Sequence, residues 1–238
     1  MERLPKYPDF FYGEYLYTES PIILVDVDVF WLDKTCLSWQ KTIDDKKPLL
    51  FESAYLANLL ELALGKYLEP CEERLVVFPG NGAIDAKDSL EYWKDYNCVN
   101  VYAKRKWQVG NDPEVIVDEI FTEWPSVKEI LVIDDAISSG ETMKKLCEKN
   151  ANKFPEASWT GACWISQKPR SKAPAGIPGF KKAIAGLVVE GPQGRRVPIN
   201  SLSTLIKDQE IAQKYTLRYF QDPEKFLRIL EEMREYVC

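Results

Sequence analysis

The chain contains no histidine. That removes His-dependent nucleophile triads, imidazole metal ligands and imidazole acid–base work before any motif is considered. Cys-x-x-Cys pairs are also missing: the cysteines stand singly at positions 36, 71, 98, 147, 163 and 238. Scattered in this way, they read as free thiols rather than a disulfide framework. No long apolar run is present either. The Leu-rich stretch from Leu49 to Leu68 is broken by Glu52, Asn58, Glu61 and Lys66, which predicts a soluble amphipathic helix and no membrane span. The opening MERLPKYPDF has neither an apolar core nor a signal-peptide layout, so a cytoplasmic protein is expected. With 37 Asp and Glu against 31 Lys and Arg, a net charge of −6 argues against general nucleic-acid binding.

What the chain does have is enough length, 238 residues and 27.4 kDa, for one well-cored domain with a small accessory lobe. Its basic residues are clustered despite the acidic balance. Between Ser166 and Pro198 lie Lys168, Arg170, Lys172, Lys181, Lys182, Arg195 and Arg196 against the single acid Glu190, and Lys104-Arg105-Lys106 forms a second knot. Either cluster alone reads as a solvated face; two in an acidic protein suggest a small polyanionic ligand.

Along the chain, residues 1–50 are aromatic-rich with short alternating runs and predict a hairpin or small irregular lobe. A helix is expected from about Ser53 to Tyr67, a short buried strand over Leu75 to Phe78, and a turn at PGNGAID. A helix over Lys87 to Tyr96, a strand over Val99 to Lys104 and a polar mobile loop from Trp107 to Pro113 follow. Next come a strand at Glu129 to Ile133, a helix from Gly140 to Asn150, and strands at Trp159 to Ile165 and Ala183 to Glu190. The last is turned back as a hairpin by Gly191-Pro192-Gln193-Gly194. This alternation predicts a mostly parallel α/β sheet over residues 51–198. The segment 199–238 is a helical extension in which Phe226, Leu230, Met233 and Val237 share a face.

The chemistry concentrates in ILVIDDAISSGETM, Ile130 to Met143. An aliphatic strand ends in Asp134 and Asp135, at the place where open α/β sheets bind ligands. Carboxylates there can accept hydrogen bonds from the vicinal hydroxyls of a sugar. Ser138, Ser139, Gly140 and Thr142 then turn into the next helix, whose exposed amides and positive end suit a phosphate. A diol reader joined to a phosphate cradle describes a ribose 5-phosphate site.

This stretch resembles the signature of the type I phosphoribosyltransferases, which bind 5-phosphoribosyl pyrophosphate (PRPP) with Mg2+, pass the ribosyl phosphate to a nitrogen acceptor and release pyrophosphate. The resemblance implies that Asp134 and Asp135 hold the ribose hydroxyls. It places Ala136, Ile137, Ser138, Ser139, Gly140, Glu141 and Thr142 around the 5-phosphate. Mg2+ would be held mainly by PRPP itself, with Asp134 and Asp135 as the chain's contribution. By place, Pro79, Gly80, Asn81 and Gly82 correspond to a pyrophosphate loop, although the same run also reads as an ordinary turn before a helix. Lys104, Arg105 and Lys106 correspond to basic catalytic residues beside a flexible loop. Partners would then be PRPP and an acceptor molecule, in a chain that could pair as a homodimer, with no nucleic acid and no membrane.

Two departures qualify the resemblance. The 6-oxopurine members carry an acid where this chain has Ser138, which argues against hypoxanthine or guanine as acceptor. Glu141 puts a negative charge inside the loop, so its side chain must point away from a bound phosphate. Two other readings compete. A PRPP- or nucleotide-binding regulatory module of the same fold would share the loop without turnover. A haloacid dehalogenase-like phosphatase would use Asp26 and Asp28 with the later acid pair, but Val29-Phe30-Trp31 continues as strand instead of entering a Gly-rich segment.

Overall fold

The computed structural model describes residues 10–20, 22–25, 49–91, 97–106, 114–124, 126–167, 176–194, 197–219 and 223–237. Asp26, Asp28, the Trp107 to Pro113 loop, and Lys168, Arg170, Lys172, Arg195 and Arg196 lie outside them. The chain divides into two compact units, one of residues 1–16 and 56–189, the other of residues 17–55 and 190–238. Strand β1 (Phe11–Tyr17), inside the aromatic N-terminal segment, is an outer strand of the main sheet. Strand β2 (Ile23–Val25), from the same segment, falls in the unit that contains the helical tail.

The first unit is built on β4 (Arg74–Pro79), β5 (Cys98–Val101), β8 (Glu129–Ile137), β9 (Ser158–Gln167) and β10 (Phe180–Glu190), all parallel where they pair. The six-stranded order is β1-β10-β9-β8-β4-β5. This is the expected α/β class. The strands read as continuous apolar runs because both faces are covered. Leu75, Val77, Ile130, Val132 and Cys163 pack on one side with Met143, Leu146 and Cys147 of the helix Glu141–Asn150, here α3. On strand β10, Gly186 admits the backbone of α1 (Ser53–Tyr67). A Cβ at Gly186 would lie 2.8 Å from the Leu60 nitrogen and 3.0 Å from the Leu56 carbonyl oxygen.

At the amino ends of three strands the sheet is tied by charge. Arg74 is buried and donates from Nε and Nη2 to Glu129 Oε2 at 2.9 and 2.7 Å, while Thr160 Oγ1 donates to Glu129 Oε1 at 3.0 Å. The same Arg74 Nη2 also donates to the Glu69 carbonyl.

In the second unit, β11 (Ile199–Ser201), β2 and β3 (Leu49–Phe51) form a parallel three-stranded sheet. Helices α4 (Leu202–Lys207), α5 (Gln209–Tyr219) and α6 (Pro223–Val237) complete this unit. Ile22, Leu24, Leu205, Ala212, Phe226 and Leu230 share one core. Ser201 caps α4 by accepting from the Thr204 amide at 3.2 Å.

Three expectations are corrected. Of the helix expected over Lys87 to Tyr96, Lys87 to Ser89 are the end of α2 (Gly80–Ser89), which begins inside the supposed turn and stops where Leu90 turns extended (φ −91°, ψ 116°), and residues 92–96 lie outside the described residues. Ala83 and Ala86 are fully buried, so packing overrides the turn-like Gly-Asn-Gly composition. The strand expected over Val99 to Lys104 breaks at Tyr102. Its second half is β6 (Ala103–Lys106), paired antiparallel with β7 (Glu114–Val117) in a two-stranded ribbon. The expected hairpin after β10 is a 3-10 turn, Pro192–Gly194, and the chain continues to β11 instead of pairing back. Among the described residues, no helix is long and apolar enough to cross a membrane.

The Arg74–Glu129 pair should dominate stability at its end of the sheet. Removing one partner strands a buried charge, so Glu129→Leu is expected to cost about 3–5 kcal/mol in urea unfolding. Arg74→Met combined with Glu129→Leu should recover most of that loss. A single variant as stable as the double one would show the pair to be dispensable.

Candidate functional site

The strand order has a switch point between β4 and β8, the kind of place where open α/β sheets bind ligands. From β4 the chain steps outward to β5, then returns past β4 to β8 and onward to β9 and β10. The connections leaving β4 and β8 therefore diverge and open a crevice at their carboxyl ends, the switch point where such sheets bind ligands. The segment leaving β4 is Pro79-Gly80-Asn81-Gly82, and the one leaving β8 follows Asp134 and Asp135.

These two segments touch. A Cβ on Gly82 would lie 2.6 Å from Cγ of Asp135 and 2.7–2.8 Å from its carboxylate oxygens. Only a residue without a side chain lets the first turn of α2 approach the acid this closely. Gly80, with φ 77°, makes the sharp strand-to-helix turn, and its missing Cβ would lie 2.9 Å from the Ala103 carbonyl oxygen. The ribbon bearing Lys104, Arg105 and Lys106 thus starts beside the same segment. Lys104 and Lys106 are exposed, and Lys106 stands opposite Glu114 in the register.

β8 extends further than its aliphatic run, through Ile137, so both acids are strand residues. Asp134 is 8% exposed and Asp135 half-buried. Asp134 Oδ1 accepts from the Asp135 amide at 3.0 Å, and Asp135 Oδ1 accepts from the Ala136 amide at 2.7 Å. These local bonds fix the carboxylates at the strand end. Asp134 stands opposite Cys163 on β9. Burial, reinforced by the charges of Asp134 and Asp135, pushes the Cys163 thiol well up, so it stays protonated and is no nucleophile.

Beyond the acids, Ser138 and Ser139 are exposed, Gly140 takes φ 72°, and α3 begins at Glu141. Neither α2 nor α3 has a side-chain cap from its N-cap residue, Pro79 in one case and Gly140 in the other. Ser139 Oγ only reaches the Glu141 amide at 3.4 Å. First-turn amides at both helix starts therefore remain available to an anion. Glu141 Oε1 lies 3.5 Å from Lys144 Nζ, an i,i+3 pair that draws its charge along the helix. Thr142 is buried. Of the basic cluster between Ser166 and Pro198, Lys182 Nζ donates to the Tyr67 carbonyl at 2.6 Å, a packing role. Sequence reasoning missed Ile177, which packs against Gly140 from a distant segment; no local pattern marks it. Lys144 was within reach through helical spacing.

Glycine at position 82 should behave unlike glycine elsewhere in a helix. A Cβ on Gly65 in α1 would meet nothing within 4 Å, so Gly65→Ala is expected to gain up to about 1 kcal/mol from helix propensity. Gly82→Ala should gain nothing or lose stability, because its methyl meets the Asp135 carboxylate. Thermal unfolding of the two variants compares them directly, and equal gains would disprove the close approach.

No family model matches the sequence, and no curated protein does. Among solved structures, the chain is similar to a xanthine-guanine-hypoxanthine phosphoribosyltransferase of Helicobacter pylori, at 17% identity over 63% of this chain and 86% of that one, with TM-score 0.42. It is similar to a hypothetical protein of Neisseria gonorrhoeae with bound ppGpp, at 16% identity over 76% and 92%, with TM-score 0.46. A purine phosphoribosyltransferase of Pyrococcus horikoshii is similar at 13% identity over 79% and 98%, with TM-score 0.37.

Proposed function

We propose that the protein binds PRPP at the β4/β8 crevice and transfers its 5-phosphoribosyl group to a nitrogen acceptor, releasing pyrophosphate. The observation that carries this reading is the contact of Gly82 with the Asp135 carboxylate. It brings a helix start without a side-chain cap against the acid read as the diol holder, and a second such helix start follows that acid along the chain. PRPP has this order of groups: pyrophosphate, ribose diol, 5-phosphate.

In the proposed reaction the bond from the anomeric carbon to the pyrophosphate oxygen breaks, the carbon–nitrogen bond forms, and the acceptor nitrogen gives up a proton. The chain's contribution is to hold the ribose through Asp134 and Asp135, to fix the 5-phosphate on the Ala136 to Thr142 loop, and to gather the leaving group near Gly80 to Gly82. Such positioning and charge compensation need no imidazole. Two adjacent carboxylates are hard-oxygen donors suited to Mg2+. Among the described residues no group of three or more metal-ligating side chains occurs. When bound, Mg2+ would offset the charge of the departing pyrophosphate.

The acid pair gives the first test. Each carboxylate-to-hydroxyl bond is charge-assisted, so Asp134→Asn and Asp135→Asn should each lose roughly 1.5–3 kcal/mol, about tenfold to a hundredfold in PRPP affinity. Ligands without the ribose diol should be indifferent to either change. Calorimetric titration measures this, and unchanged PRPP affinity in both variants removes the assignment. Pyrophosphate release across a panel of bases, amines and nucleoside-like acceptors then separates a transferase from a regulatory module that binds PRPP without consuming it.

The basic ribbon gives the second. Replacing Lys104, Arg105 and Lys106 together by Ala should weaken PRPP far more than ribose 5-phosphate, because only PRPP carries the pyrophosphate. Equal losses for the two ligands would reduce the triplet to a solvated face.

A further inference from the structure

The loop after β8 has a wall supplied by none of the residues assigned to the ligand. Glycine reaches positive φ about as readily as negative φ, so the intrinsic preference of Gly140 does not hold it at 72°. Its carbonyl accepts from the Lys144 amide at 2.9 Å, which fixes one side. On the other side, where a Cβ would stand, the space is taken by Ile177, with Cγ1 at 2.8 Å, Cδ1 at 3.1 Å and Cγ2 at 3.5 Å.

Ile177 belongs to the segment that leads into β10, and it is held there from three directions. Its carbonyl accepts from the Phe180 amide at 3.0 Å. The turn passes through Gly179 at φ 86°, where a Cβ would lie 2.5 Å from Cys147 Sγ of α3. The Phe10 ring comes within 2.8 Å of the Cβ position of Gly176. Ile177 is itself 5% exposed, while Ser138 and Ser139 on the loop are exposed. The apolar prop therefore stands behind the loop and the polar groups stand in front.

We infer that Ile177 is a positioning residue for the anion loop. Its side chain bars Gly140 from leaving the left-handed conformation, so the amides that open α3 are aimed before any ligand arrives. The inference rests on reading this loop as the 5-phosphate cradle. Without the prop, Gly140 samples its other conformations in the free protein, and binding has to restore one of them. That ordering is charged against affinity for the phosphate it receives.

The test is titration of wild type, Ile177→Val and Ile177→Ala with ribose 5-phosphate and, separately, with inorganic pyrophosphate, after circular dichroism has verified the fold. Ile177→Ala is expected to weaken ribose 5-phosphate about tenfold, the scale of re-fixing one residue's backbone, with Ile177→Val in between. Pyrophosphate affinity should stay within about twofold, since its loop lies on α2. Should Ile177→Ala fail to fold, Ile177→Val carries the comparison on its own. Unchanged ribose 5-phosphate affinity in the folded variants, or equal losses for both ligands, overturns the positioning role while leaving the cradle in place. A wild type with no affinity for ribose 5-phosphate overturns the cradle and this inference with it.

Discussion

The register of β8 between β4 and β9 governs the rest of the structure. Val132 stands beside Val77 on one side, and Asp134 beside Cys163 on the other. Side chains alternate along a strand, so a slip of one residue would exchange the faces on which Asp134 and Asp135 emerge and mismatch the packing on both covered faces. The apolar core resists that slip along the strand's length. The Arg74–Glu129–Thr160 tie resists it at the amino end, about 17–20 Å from the acids by strand rise. The fold thus keeps its electrostatic lock and its candidate chemistry at opposite ends of one strand.

At the carboxyl end the charges are arranged differently. Asp134 and Asp135 accept from neighbouring backbone amides, and the helix starts that follow β4 and β8 have no side-chain cap from their N-cap residues. Helix N-termini carry partial positive charge, so negative groups on a ligand find compensation without a dense set of basic side chains. Glu141, which would oppose an anion, is drawn towards Lys144. An acidic protein can in this way hold a polyanion through its backbone.

Much of this site was legible in the sequence because its elements are local. The aliphatic run Ile130 to Ile133, the acids, the small polar residues and the helix follow one another within fourteen positions, and each has its own chemical signature. The unreadable parts depend on residues far apart in the chain. Gly-Asn-Gly is turn-like by composition, and only the burial of Ala83 and Ala86 against the rest of the fold makes it helical. That β1 lies alongside β10, and β11 alongside β2, is a non-local pairing that no window of sequence displays. Tyr102 breaks a strand whose second half leaves the main sheet for a ribbon, and alternation alone does not distinguish the two. Ile177 was invisible for the same reason, since its importance lies in what stands opposite it.

That neither α2 nor α3 is capped by its N-cap residue has a consequence in time as well as in space. A helix end whose first amides lack acceptors frays more readily than one capped as Ser201 caps α4. In hydrogen exchange, the amides of Gly80 to Gly82 and of Thr142 and Met143 would take up deuterium early in the empty protein, while the strands between them exchange only with wider opening. An anion that occupies both helix starts would slow the two segments together, although they lie nearly sixty residues apart in the chain. Their common protection would follow the crevice, and the order of the sequence would not reveal it.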